Sequence, residues 1–268
     1  MSRTTILLTV LLLLSSATIP TSVSAEGNEP RDPPPVKICF LNSISGPIAG
    51  YGPAFTASAE KAIEDLNAAG GNFELVMADS GCDGTVATSA AQTLVDAGVV
   101  AVAGALCSGA SMGANSVLSA AGIPQVSPTS SSPSLSDDAA YPLFYRIIPS
   151  DGLQGGALNF TVSNYGGSSV ALIHMTNSYG AGLADSFRTS WEAGGNTLCT
   201  QLAYEETSTS FGGLALSVID NGCDTVVMAS YSSDGQMIGE ALVDIGCSGS
   251  IFGGDGIADE SFGTDLSD

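Results

Sequence analysis

Along the chain, short apolar runs follow helical-looking stretches, and a glycine separates them again and again. The junctions read "NAAGGNFELVMA" (67–78), "VDAGVVAVAG" (95–104), "SAAGIPQVS" (119–127), "EAGGNTLCTQL" (192–202), "IDNGCDTVVMA" (219–229) and "VDIGCSGSIFG" (243–253). Glycine ends helices because it takes the left-handed conformation at little cost. Junctions of this kind predict alternating helices and strands, hence a parallel sheet with helical crossovers. The pattern places strands near 36–42, 73–78, 99–104, 124–127, 169–174, 198–203, 224–229 and 250–253. Helices are expected near 53–68, 85–97, 109–121, 152–165, 180–194, 211–221 and 234–245. Several strands are unbroken apolar runs, as strands covered on both faces are. The rhythm breaks once, in the serine- and proline-rich stretch 127–151, which ends in a short strand-like segment. That break predicts a passage between two α/β lobes, the first over 36–149 and the second over 150–268.

The ends and the composition narrow the class. Residues 1–25 combine Arg3, the apolar run "ILLTVLLLL" and the small-residue ending "VSA", which is the pattern of a secretory signal peptide cleaved after about Ala25. The proline-rich "EGNEPRDPPP" (26–35) follows as an extended linker. No other stretch is long and apolar enough to cross a membrane. With 44% hydrophobic residues among 268, a sizeable core is within reach. The formal net charge is −21, which argues against nucleic acid and anionic membrane surfaces as partners.

The chemistry-bearing motifs are mostly missing. There is no GxxxxGK[ST], no GxGxxG after a strand and no CxxC. His174 is the single histidine, in the strand "VALIHM", so neither a structural zinc nor a histidine-based triad is supported. Asp137–Asp138 and Glu205–Glu206 read as solvated surface, and the sequon at Asn159 as chance. Six cysteines remain: Cys39, Cys82, Cys107, Cys199, Cys223 and Cys247. In an exported chain an even number suggests disulfides. Cys107, in "AVAGALCSGA" (101–110), is at this point equally a nucleophile, a metal ligand or half of a disulfide, although "ALCSG" is not a GxSxG elbow.

Several stretches in order carry a resemblance: "VKICFLNSISGPIAGYG" (36–52), "AIEDLNAAGG" (62–71), "DSGCDGTVATSAAQTLVDAGVVAVAGALCSGA" (79–110), "AGIPQVSPTSSSPSL" (121–135), "YRIIPSDGLQG" (145–155), "NSYGAGLADSF" (177–187) and "FGGDGIAD" (252–259). The chain resembles the leucine/isoleucine/valine-binding proteins, the type I periplasmic substrate-binding components of ABC transporters. The resemblance implies two Rossmann-like α/β lobes with parallel sheets, joined by a hinge, with the ligand in the cleft between them. Family members run on for roughly another hundred residues, so the chain is expected to be truncated at its C-terminus and its first lobe incomplete.

The same resemblance implies a site. Ser108 would hold an α-carboxylate at a helix N-terminus, its alternative duty being to cap that helix. Thr129 and Ser131 would add polar contacts, Asp255 would take the α-ammonium, and Tyr51, Tyr179 and Tyr231 would wall the cleft. It also implies a Cys82–Cys107 disulfide at the ends of two strands taken to be parallel neighbours. Cys223 and Cys247 each precede a strand and are expected to pair, while Cys39 and Cys199 stay unpaired in the core. The expected function is capture of an amino acid, branched-chain or a related small polar solute, by hinge closure in the periplasm. It requires no cofactor or metal, acts as a monomer, delivers to an inner-membrane ABC permease and is not an enzyme. The alternative is a ligand sensor acting with a separate receptor.

Overall fold

The computed structural model describes residues 33–258 and Phe262. The leader expected over 1–25, and most of the linker after it, lie outside the described residues. The chain divides into two units, Met1–Pro34 and Pro35–Asp268, and every element named below belongs to the second.

The first sheet is built from β1 (Val36–Asn42), β2 (Phe73–Asp79), β3 (Ala101–Gly104), β4 (Gln125–Ser127) and β5 (Phe144–Arg146), in the order β2-β1-β3-β4-β5. Its helices are α1 (Gly52–Ala68), α2 (Gly84–Asp96) and α3 (Ser108–Leu118). The second sheet holds β6 (Val170–Met175), β7 (Leu198–Tyr204), β8 (Thr225–Ala229) and β9 (Ser250–Gly253), in the order β7-β6-β8-β9. Around it lie α4 (Asp151–Tyr165), α5 (Ser178–Ala193), α6 (Gly212–Asp220) and α7 (Ser232–Asp244). Every strand pairing in both sheets is parallel. The strand-like segment before 149 becomes β5, the edge of the first sheet.

The glycine junctions work as the sequence pattern requires. Gly70, Gly98, Gly122, Gly195, Gly222 and Gly246 all have positive φ, between 69° and 95°. After each, the next N–H reaches back to a helix carbonyl: Leu66, Leu94, Leu118, Trp191, Val218 and Leu242 accept in turn. This closure satisfies a helix-end carbonyl and turns the chain straight into the following strand.

Burial differs between the sheets. In the second, β6 and β8 are buried along their whole length. In the first, Cys39, Val102, Gln125 and Phe144 lie in register and are buried. On the opposite side of the same strands, Val126 and Tyr145 lie in register and are exposed.

The disulfides require two corrections. Cys82 and Cys107 are bonded, Cα–Cα 5.2 Å, but β2 and β3 are not neighbours, because β1 lies between them. The bond therefore crosses the end of β1, with Cys82 held at φ +58° to make the turn. The expected Cys223–Cys247 pair does not form: Cys223 bonds Cys199, Cα–Cα 6.0 Å. The reason lies in a register shift on β7, where Val170 pairs with Leu198 and Ala171 with Thr200. Cys199 is the extra residue of that bulge, released from the ladder and free to reach Cys223 across the end of β6. Cys39 and Cys247 are free thiols. Burial pushes the Cys39 thiol up to about 12, so it behaves as a small core hydrophobe.

Candidate functional site

In open parallel sheets a crevice forms beyond the carboxyl ends of the strands, where the strand order reverses. That point lies between β1 and β3 in the first sheet and between β6 and β8 in the second. Segments following these strands line a cavity of about 210 Å³. Tyr51, Ser108, Thr129, Tyr179, Tyr231 and Asp255 all face it, together with Ile48, Phe55, Leu106, Cys107, Gly256 and Ala258. Ser131 does not line it.

The first wall is tied down by the serine-rich loop. Ser127 Oγ and Ser130 Oγ both donate to the Ala105 carbonyl, at 2.6 and 3.2 Å. Thr129 Oγ1 donates to the Leu106 carbonyl at 2.7 Å. These bonds and the Cys82–Cys107 disulfide hold residues 105–107 from both sides. Ser108 is the first residue of α3, and Cys107 is its N-cap. The capping role weighed for Ser108 is therefore not what it does: its hydroxyl accepts the Ser132 N–H at 3.1 Å, joining α3 to the loop.

The second wall is an aromatic pair with an acid at its edge. The rings of Tyr179 and Tyr231 stack with centroids 5.3 Å apart, 4° from parallel. Tyr179 Oη donates to Asp255 Oδ1 at 2.8 Å and accepts the Gly256 N–H at 2.9 Å. Burial, reinforced for Tyr179 by the Asp255 charge, holds both phenols well above their ordinary range, so they stay neutral. A Cβ on Gly256 would sit 2.6 Å from Tyr179 Oη and 2.5 Å from the Ser230 carbonyl. The glycine is what lets the acid fold back onto the tyrosine. The walls meet where Tyr51 Oη lies 3.2 Å from Ser232 Oγ, which in turn donates to the Gly256 carbonyl at 3.2 Å.

The cavity thus carries α3's N-terminus on one side and a carboxylate on the other, with apolar and aromatic surface between. A family model described as periplasmic binding protein matches residues 35–261. The chain belongs to the periplasmic binding protein family. Among its relatives, the Leu/Ile/Val-binding protein BraC3 of Rhizobium johnstonii is 27% identical over 237 residues, 86% of this chain and 65% of the relative. The Leu/Ile/Val-binding protein of Escherichia coli K12 is 27% identical over 232 residues, 84% of this chain and 63% of the relative. The chain thus spans just under two thirds of the length of these curated relatives. Of solved structures, the branched-chain amino acid transporter substrate binding protein LivJ of Streptococcus pneumoniae, in complex with isoleucine, superposes with TM-score 0.76. The match is 26% identical and covers 87% of this chain and 68% of that one. The leucine binding protein LivK of Thermotoga maritima shares the fold, with TM-score 0.75 at 23% identity over 83% of this chain and 64% of that one.

Among the described residues, no histidine and no free thiol lines the cavity of this member of the periplasmic binding protein family. Cys107 is spent in its disulfide. His174 is buried on the second sheet, Nδ1 2.9 Å from the Met175 carbonyl and Nε2 3.1 Å from Gln201 Nε2. Among the described residues no cluster of three histidine, cysteine, aspartate or glutamate side chains suits a metal ion. No described helix is long and apolar enough to cross a membrane.

Sequence reasoning missed the apolar lining and one buried acid. Ile48 and Phe55 follow β1 within the quoted "SGPIAGYG" stretch or just beyond it, and Leu106 precedes Cys107; periodicity assigns such residues to packing. Asp151 opens α4 behind the cavity and is fully buried. Ser131, expected in the cavity wall, turns away from it to donate to Asp151 Oδ2 at 3.0 Å. Burial first, then the nearby Asp255 charge, push the Asp151 carboxyl up to about 7, against the Ser131 hydrogen bond and the Arg146 charge. The signal was present in "YRIIPSD": an acid at a helix start directly after a strand's carboxyl end.

Proposed function

We propose that this chain captures a small amino acid, branched-chain or a closely related polar solute, in the cleft between its two sheets, and presents it from the periplasm to an inner-membrane ABC permease. The observation that carries this reading is the polarity of the cavity. On one wall, the free N–H groups of α3 and Ser108 suit an α-carboxylate. On the other, Asp255, positioned by Tyr179, accepts an α-ammonium through a charge-assisted bond. Ile48, Phe55, Leu106 and Ala258 offer apolar surface to an aliphatic side chain. The names of the relatives, and the isoleucine bound by the pneumococcal protein, agree with this class of ligand.

A zwitterion bridging the walls favours closure of the cleft over the ligand. Calorimetric titration with a panel of amino acids tests the reading, with Asp255→Ala beside the unaltered protein. One or more aliphatic amino acids bind, and the substitution weakens them at least tenfold. Equal affinity in the variant removes Asp255 from the site; no binding across the panel removes the ligand class.

A further inference from the structure

Behind the cavity, α4 presents two acceptor oxygens that no donor among the described residues reaches. Asp151 Oδ1 is buried and has no hydrogen-bond partner, and Gln154 Oε1, one turn along the same helix face, is in the same condition. Both lie toward the acid end of the cleft. A Cβ on Gly254 would come within 2.7 Å of Gln154 Oε1 and 3.0 Å of Tyr179 Oη, which places Gln154 beside the Tyr179–Asp255 pair.

Among the described residues no cation forms an ion pair with Asp151. From the loop after β4, Ser131 gives Oδ2 its single hydrogen bond. From β5, Arg146 is the nearest positive charge, but its guanidinium donates to the carbonyls of Ser131 and Ser132, at 3.0 and 2.9 Å, and to Ser136 Oγ. From α5, Tyr179 faces it as a neutral phenol, and Arg188 of that helix is held by Asp185. From the start of α7, Tyr231 is likewise neutral, and after β9 stands the second acid, Asp255. Two carboxylates close enough to repel resist simultaneous ionisation. A proton on Oδ1 removes one negative charge and turns one of two unmatched acceptors into a donor.

We propose that Asp151 determines ligand charge specificity, holding a proton in the unliganded protein and releasing it when a cationic nitrogen settles beside Asp255. The acid's O–H bond breaks, the proton passes to the buffer, and the carboxylate left behind balances the arriving ammonium. Capture is then proton-linked and selects ligands bearing a positive charge. The raised carboxyl of Asp151 agrees with this arrangement. The proposal rests on the amino-acid reading above but has its own test.

Carbon-13 carboxyl NMR titration of the unliganded protein follows Asp151 directly, assigned by its loss in Asp151→Asn. Titration within about a unit of neutrality is expected; a carboxyl already ionised at pH 5 overturns the proposal, whatever ligand is later found. With a bound amino acid, calorimetry in buffers of different ionisation enthalpy counts protons. Near pH 6 release approaches one proton per ligand, and affinity falls by up to about tenfold per pH unit below neutrality. Asp151→Asn abolishes the release and flattens the pH profile. Ser131→Ala, which keeps the acid and removes its hydrogen bond, moves the profile to higher pH. Binding with no buffer dependence overturns the proton linkage and leaves the amino-acid reading intact.

Discussion

The second disulfide offers a test that bears on how the lower end of the second sheet is built. Replacing Cys199 and Cys223 together by serine removes a bond between residues separated by 24 positions. In the chain-entropy model a loop of this length restricts the unfolded chain by about 12 cal/mol/K, or about 3.5 kcal/mol at 25 °C. The native state loses little else, since Cys199 is already outside the β7 ladder and neither cysteine is among the fully buried residues. Urea unfolding of the non-reduced proteins, followed by circular dichroism, should therefore show a large drop in midpoint. Cys247→Ser, which removes a half-buried free thiol, should stay within about 0.5 kcal/mol of the parent. Peptide mapping without reduction identifies the partners. A Cys223–Cys247 fragment, or a loss below about 1 kcal/mol in the double variant, would show that the bulge at Cys199 does not decide the pairing.

Two further outcomes follow from packing and charge. Gly155→Ala puts a Cβ 2.5 Å from the Ser186 carbonyl carbon, where α4 crosses α5 and backbone cannot give; thermal unfolding should show a loss of about 1–3 kcal/mol. Asp151 is uncommon in lowering stability as pH rises. Its carboxyl stands at about 7 in the fold against an ordinary 3.8, so the folded protein binds the extra proton between those values. Its contribution is neutral below about pH 4, turns unfavourable through neutrality and is constant above it. The stability of Asp151→Asn relative to the parent should rise by about 4 kcal/mol between pH 4 and pH 8. A difference that does not change with pH would mean the acid is ionised in the folded state throughout.

The alternation of helices and strands can be read from the chain alone, because it is written locally. Each of the six junction glycines has the positive φ that its position implies, and each closes its helix with the same backward hydrogen bond. Parallel pairing followed from the crossovers, and the residues after β1, β3, β6, β8 and β9 that the family resemblance singled out do line the cavity. Strand order was not legible. Hydrophobic runs say that a strand is buried, not which strand lies beside it, and so β2 and β3 passed for neighbours although β1 separates them. The cysteine pairing failed for a related reason: a one-residue bulge decides which side of β7 Cys199 faces, and composition carries no trace of it. Ser131 and Asp151 show the same limit within the site. Both are polar residues in loop-like sequence, and only packing of the β4 loop against the start of α4 sends one away from the cavity and buries the other. Local backbone preference acts over a few residues and can be read from them; burial of a charge depends on what folds back over it from elsewhere in the chain.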